Sequence, residues 1–136
     1  MLNTLIFLLS MTMISTAPSK DKTKIKEAIQ QFVQGADSQD SNTLATVLHP
    51  ESQQYYVGQE GLVRLPRTTY FNLIDQKKIG GTPRELDIQS IDLNGNLAVA
   101  KVKIWNDNAR FENYFSLMKV EDEWQIISII LHMEVG

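Results

Sequence analysis

The stretch LAVAKVKIW, Leu97 to Trp105, places Lys101 and Lys103 alternately with apolar residues and decides the fold class. Successive side chains of a strand point to opposite faces of a sheet, so this period of two predicts a half-buried strand. Lys101 and Lys103 are expected to face outward. The expected inward set is Ala98, Ala100, Val102 and Ile104. Two small alanines in that set leave space for a cavity beside the sheet.

Three neighbouring segments extend the strand pattern. The predicted strands are Arg84 to Leu93, Leu97 to Trp105, Arg110 to Val120 and Glu123 to Met133. The residues between them, such as Asn94-Gly95, are typical of tight turns, so the four strands form an antiparallel meander. Within the first strand the apolar phase slips between Ile88 and Ile91. A β-bulge near Gln89 and Ser90 would restore one inward face and bend the sheet.

The residues before this meander show helical spacing. Apolar residues of KTKIKEAIQQFVQ recur every three or four positions, and Gly35 is predicted to end this first helix. A second helix is expected from Ser41 to Leu48, because Asp40 or Ser41 can cap it and Pro50 follows. TTYFNLIDQKK is the third predicted helix, which Gly80-Gly81 terminates.

A short hairpin is expected between the second and third helices. Its strands are Tyr55 to Val57 and Leu62 to Leu65, with a turn from Gly58 to Gly61. Helices followed by a run of strands predict an α+β fold, in which N-terminal helices pack on a strongly bent antiparallel sheet. That shape is a cone with an internal cavity. Residues 18–136 are expected to form this one domain.

The composition narrows the function. The chain has 136 residues, 43% hydrophobic and 21% charged, which suits one globular domain. Lys and Arg total 13 against 16 for Asp and Glu, a net charge of -3. No nucleic-acid partner is expected, because such binding needs a basic surface.

The first seventeen residues, MLNTLIFLLSMTMISTA, are uncharged and hold an apolar run from Leu5 to Ile14. They predict a signal peptide over residues 1–17, with Ser15 and Ala17 before the cleavage site. The alternative is a membrane anchor, but the apolar run has half of the roughly 20 residues that a span needs. The protein is therefore expected to be secreted or periplasmic, without stable membrane insertion after processing.

The sequence lacks the residues that several kinds of catalytic and metal-binding site require. There is no cysteine, and the two histidines, His49 and His132, are far apart and without a metal-binding spacing. Gly-rich phosphate loops and nucleophile elbows are absent as well. We therefore expect no metal site, no cofactor and no covalent nucleophile.

Four segments together resemble a known family. They are FVQGADSQD, LATVLHPES, RELDIQSIDLNGNLAVAKVKI and NYFSLMKVEDEWQII. They resemble the putative lumazine-binding family of the nuclear transport factor 2-like superfamily, which is also close to SnoaL-like proteins. The resemblance covers nearly all of the mature chain and implies a cone-shaped α+β fold with a small heterocyclic ligand. It assigns no reaction, because the superfamily includes isomerases, dehydratases, hydrolases and transport adaptors.

The candidate site residues are aromatic or polar side chains that are suited to flat organic molecules. His132 shares a strand phase with Trp124 and Ile130, so it is expected to face the cavity if the tryptophan does. There it would serve as an acid or base; alternatively it is a hydrogen-bonded or solvated residue near the strand end. The predicted ligand-binding set is Tyr55, Arg64, Trp105, Tyr114 and His132.

Three functions are consistent with this sequence. The first is an exported protein that binds a small apolar or aromatic molecule without catalysis. The second is a cofactor-free isomerase, dehydratase or hydrolase that uses His132 for proton transfer, with a tyrosine as oxyanion donor. The third is a protein-interaction module that pairs through the outer face of the sheet. A homodimer is expected and is compatible with all three.

Overall fold

The computed structural model describes residues 19–136, and the predicted signal peptide with its cleavage site lies outside them. This part of the chain holds three helices and six strands. The helices are α1 (Lys20–Asp37), α2 (Ser41–Val47) and α3 (Arg67–Asp75). The strands are β1 (Leu48–Gly58), β2 (Gly61–Pro66), β3 (Glu85–Asn94), β4 (Leu97–Trp105), β5 (Ala109–Val120) and β6 (Glu123–Val135).

The strands form one curled, unclosed sheet in the order β2-β1-β6-β5-β4-β3. Four of its five pairings are antiparallel, whereas β1 runs parallel to β6. The hairpin of β1 and β2 thus extends the meander instead of standing apart from it. The helices contact the inner face of the sheet, which gives it one covered and one uncovered side. The predicted α+β class, with N-terminal helices on a bent sheet, is confirmed.

Strand β4 has the predicted orientation throughout. Its burial alternates along the strand, and all four predicted inward residues are at most 3% exposed. The predicted bulge in β3 is also confirmed, because the pairing register with β4 shifts between Ile88 and Ser90. The result is that Leu86, Ile88, Ile91 and Leu93 all pack against the core from one face.

A second bulge interrupts β6, and the sequence analysis did not predict it. Ser116 pairs with Ser128 but Leu117 pairs with Ile126, so Ile127 is an extra residue. Before the bulge Trp124 and Ile126 are buried, and after it Ile129 is buried while Ile130 is exposed. The predicted shared phase of Trp124 and His132 is therefore wrong, because one inserted residue exchanges the two faces of the strand.

The predicted end of the first helix is also wrong. Helix α1 continues through Gly35 to Asp37, and Gly35 lies where α2 approaches closely. A Cβ at this position would lie 3.0 Å from the Leu44 side chain, so the glycine permits contact between the two helices. The N-cap of α2 is Asp40, one of the two predicted candidates, and its carboxylate accepts the backbone N–H of Thr43 at 3.2 Å.

The third helix ends earlier than the sequence predicts. It stops at Asp75, well before Gly80 and Gly81, and the loop that follows returns to the end of α1. Gly80 has φ +76 there, and a Cβ would collide with the Ala36 carbonyl oxygen. This glycine therefore allows the loop to lie against α1.

A carboxylate joins the start of α1 to the sheet beside the turn between β5 and β6. Asp21 Oδ1 accepts the indole N–H of Trp124 at 2.9 Å and the Lys119 ammonium at 3.1 Å. These two donors lower the pKa of Asp21, with the tryptophan making the larger contribution. None of the helices in residues 19–136 is both long and apolar enough to span a membrane.

Candidate functional site

A cavity of about 470 Å³ lies between the inner face of the sheet, α1, α3 and the loop that follows α3. Its apolar wall includes Phe32 of α1, Leu65 of β2 and Leu131 of β6. Phe32 is fixed in place by an edge-to-face contact with Phe115 at 5.4 Å and a stacked contact with Tyr70 at 6.2 Å. The cavity therefore has a rigid aromatic wall.

Tyr70 brings a hydroxyl group to this wall. Helix α3 places the side chain at 7% exposure, and burial raises its pKa to about 12. Arg84 nearby and a hydrogen bond with Gln54 oppose that rise without cancelling it. A tyrosine hydroxyl is protonated at neutral pH even without this rise, so the group can act as a hydrogen-bond donor.

Arg84 brings a positive charge to the same cavity. Its Nε donates to Asp37 Oδ1 at 2.6 Å, and its backbone N–H donates to Asp37 Oδ2 at 2.9 Å. The guanidinium also lies over the Phe111 ring, 5.1 Å from the ring centroid. These contacts fix the arginine side chain, which is only 15% exposed.

Asn113 is the buried amide of the site. Its Nδ2 donates to the carbonyl oxygens of Val102 and Phe111, both at 3.2 Å. The side-chain oxygen has no partner among residues 19–136, although the residue is only 4% exposed. Because Asn113 lines the cavity, this oxygen is suited to accept a hydrogen bond from a guest molecule.

None of the five predicted ligand-binding residues lines this cavity. Tyr55, Arg64, Tyr114 and His132 lie on the outer face, and Trp105 is partly exposed at the end of β4. In each case a neighbour in the strand lines the cavity instead. Those neighbours are Tyr56, Leu65, Ile104, Asn113 and Leu131. The five predicted ligand-binding residues therefore share one face of the sheet, but it is the outer face and not the face that borders the cavity.

His132 does not face the cavity, where a role as acid or base was expected. Its side chain is 72% exposed on the outer face, where Nε2 is 3.5 Å from Glu134 Oε1. The prediction that it faces the cavity is wrong because of the bulge at Ile127. The alternative interpretation, a solvated residue near the end of a strand, describes its surroundings.

Trp105 borders a smaller depression of about 320 Å³ at the β3-β4-β5 end. Charged side chains surround this depression, including Asp87, Arg110 and Glu112. Lys103 and Glu112 are 3.8 Å apart, and both are half exposed. Residues 19–136 contain no group of three or more histidine, aspartate or glutamate side chains arranged to hold a metal ion.

Comparison with known proteins identifies the family. Residues 20–132 match the model of the family described as putative lumazine-binding. No curated protein matches the chain.

Solved structures of the same fold cover most of the chain. A nuclear transport factor 2-like protein of unknown function from Shewanella baltica is 24% identical over 90% of this chain and all of its own, with TM-score 0.79. One from Methylobacillus flagellatus, also of unknown function, is 20% identical over 88% of this chain and 97% of its own, with TM-score 0.76. These similarities show the fold, and the match over residues 20–132 shows that the chain belongs to the putative lumazine-binding family.

Proposed function

We propose that this protein is exported and binds a small, flat, apolar molecule in the cavity between the sheet and α1, without transforming it. The observation that carries the proposal is a cavity of about 470 Å³ with an aromatic wall and a few fixed polar groups. Cavities of this size suit small organic molecules, which gain affinity from apolar burial and orientation from a few hydrogen bonds. Tyr70 and Asn113 would supply those hydrogen bonds.

Binding is favoured over proton transfer by the types of residue that surround the guest. The described cavity wall includes tyrosine, lysine and arginine but no histidine, aspartate or glutamate. General acid and base groups work best when their pKa lies near the ambient pH, whereas burial moves the pKa of Tyr70 upward to about 12. The proposed role of this tyrosine is thus to donate a hydrogen bond.

Native mass spectrometry of the mature protein from its own host tests this proposal. We expect a stoichiometric small molecule that stays bound under gentle ionisation and is lost on denaturation. Leu131→Trp should abolish this retention by filling the cavity, whereas Ile130→Trp is the matched control on the other face of β6. Equal retention by both variants would contradict the proposed site.

We also propose that the protein forms a homodimer through an outer patch, which consists of Leu97, Val99, Tyr114, Met118 and Ile130. These side chains are all exposed, and cross-strand pairing joins them, since Tyr114 pairs with Ile130 and Leu97 with Met118. A contiguous exposed apolar area on a sheet favours association. A two-fold contact would place the same patch on both subunits and bury it.

Sedimentation equilibrium measures this association. Ile130→Asp should shift the protein toward monomer, because it introduces a charge into the patch beside Tyr114. Val135→Asp, at a still more exposed position outside the patch, should leave the association constant unchanged. A monomeric wild-type protein at all accessible concentrations would exclude the dimer.

A further inference from the structure

We propose that the guest carries an acidic group, and that the guanidinium of Arg84 binds it on the cavity wall. This inference rests on the proposed binding function and specifies its ligand as a flat apolar acid. It follows from the charges that line the cavity and from the donors that Arg84 leaves unused.

The charge of the cavity wall is opposite to that of the whole chain. The chain has net charge -3, yet the described cavity lining contains Arg84 and Lys78 and no carboxylate. Lys78 is exposed, so its charge is largely screened by solvent. Arg84 is mostly buried and its field is screened less. The wall therefore favours an anion at the arginine.

The guanidinium of Arg84 has hydrogen-bonding capacity to spare. Asp37 engages its Nε and the backbone N–H, which leaves both terminal Nη groups without a partner among residues 19–136. Arg84 lines the cavity, so these groups are available to a guest there. Two N–H groups on a planar fork match the two oxygens of a carboxylate or sulfonate.

Asp37 does not take the place of the guest. Its two oxygens accept hydrogen bonds from Nε of Arg84 at 2.6 Å and from the backbone N–H of Arg84 at 2.9 Å. The carboxylate therefore contacts the arginine from one side only. Asp37 does not line the cavity, whereas Arg84 does. The ion pair thus fixes the guanidinium at the edge of a cavity whose described lining contains no carboxylate.

The remaining polar groups are consistent with an acidic guest. The hydroxyl of Tyr70 is protonated at neutral pH, as tyrosine hydroxyls ordinarily are, and it can donate to a second oxygen of the acid. Ring systems would lie along Phe32 and Phe111, and the acidic group would lie where Phe111 and Arg84 meet. One end of the cavity would thus be anion-binding and the other apolar.

Two fluorescent probes that differ by one acidic group test this arrangement. The anionic probe is 1-anilinonaphthalene-8-sulfonate, and the neutral one is N-phenyl-1-naphthylamine. For the wild-type protein we expect the affinity of the anionic probe to fall as NaCl rises from about 20 to about 500 mM, while that of the neutral probe does not fall. An equal response of the two probes to salt would overturn the inference.

Variants assign the effect to Arg84. Arg84→Gln should lower the affinity for the anionic probe by about tenfold or more and change the affinity for the neutral probe by less than about twofold. Arg64→Gln, the matched change on the outer face, should affect neither probe. If Arg84→Gln does not fold, Asp37→Asn combined with Arg84→Gln removes both charges and should give the same result.

The outcomes separate this inference from the proposed function. If Leu131→Trp blocks both probes while Arg84→Gln weakens them equally, the cavity binds guests but the acidic group is not recognised. If Leu131→Trp and Ile130→Trp leave both probes equally bound, neither the cavity nor its arginine is the site. Selective loss of the anionic probe in the Arg84 variant supports the inference.

Discussion

The inner and outer faces of the sheet carry similar side chains in different surroundings. Ile129 and Ile130 are identical and adjacent in β6, yet they are 1% and 58% exposed. The inner face is covered by α1 and α3, whereas no element within residues 19–136 packs on the outer face.

The polar residues of the two faces differ in the same way. Tyr70 is buried beside the cavity, whereas Tyr114 is half exposed on the outer face. Arg84 is fixed by Asp37 against Phe111, whereas Arg64 is exposed. An aromatic or charged side chain is thus suited to hold a small molecule only where a helix covers it.

The largest expected difference between the faces is in stability. Ile129→Ala should lower the free energy of unfolding by about 3 kcal/mol, because it leaves a cavity in the core. Ile130→Ala, the same change one residue later, should cost less than about 1 kcal/mol. Urea unfolding of the two variants measures both values, and similar losses would contradict the assigned orientation of β6.

Tyr70 on the inner face should make stability fall at high pH. Unfolded Tyr70 ionises near pH 10, whereas the folded residue stays protonated until about pH 12. The stability that this difference contributes is therefore fully present below pH 10, and about 2 to 3 kcal/mol is lost as pH rises through 12. Tyr70→Phe should reduce this alkaline loss, as urea titrations at increasing pH will show. An unchanged alkaline loss in this variant would argue against burial of Tyr70.

The smallest expected effect is that of His132→Ala. The side chain is 72% exposed and lies on the face of β6 opposite the cavity, so its removal should change stability by less than about 0.5 kcal/mol. Probe affinity should also be unchanged in fluorescence titrations. A clear loss of binding would restore His132 as a candidate site residue.

The contrast between inner and outer faces also explains which strand orientations the sequence predicts. In strand β4, Lys101 and Lys103 alternate with apolar residues, so only one phase leaves both lysines in solvent, and that prediction is confirmed. Strand β6 reads IISIIL from Ile126 to Leu131, which is apolar on both faces. Either phase satisfies such a pattern, and the bulge at Ile127 leaves no mark in the residue types.

The cavity residues were predictable only in part. Asn113 lies between Phe111 and Phe115 in the inward phase of β5, and a polar residue in an apolar phase is a signal for a site. The pairing of Arg84 with Asp37 spans 47 positions and depends on where the loop after α3 meets α1. No local pattern specifies that contact, so the positive charge of the cavity emerges only from the tertiary structure.

Intermolecular nuclear Overhauser effects test the assignment of the site most directly. The experiment uses protein with labelled Ile, Leu, Val and Met methyl groups and bound N-phenyl-1-naphthylamine. The account predicts contacts from the probe to the methyl groups of Leu65 and Leu131, which line the cavity. Contacts to Val99 and Ile130 in their place would put the site on the outer face and contradict it.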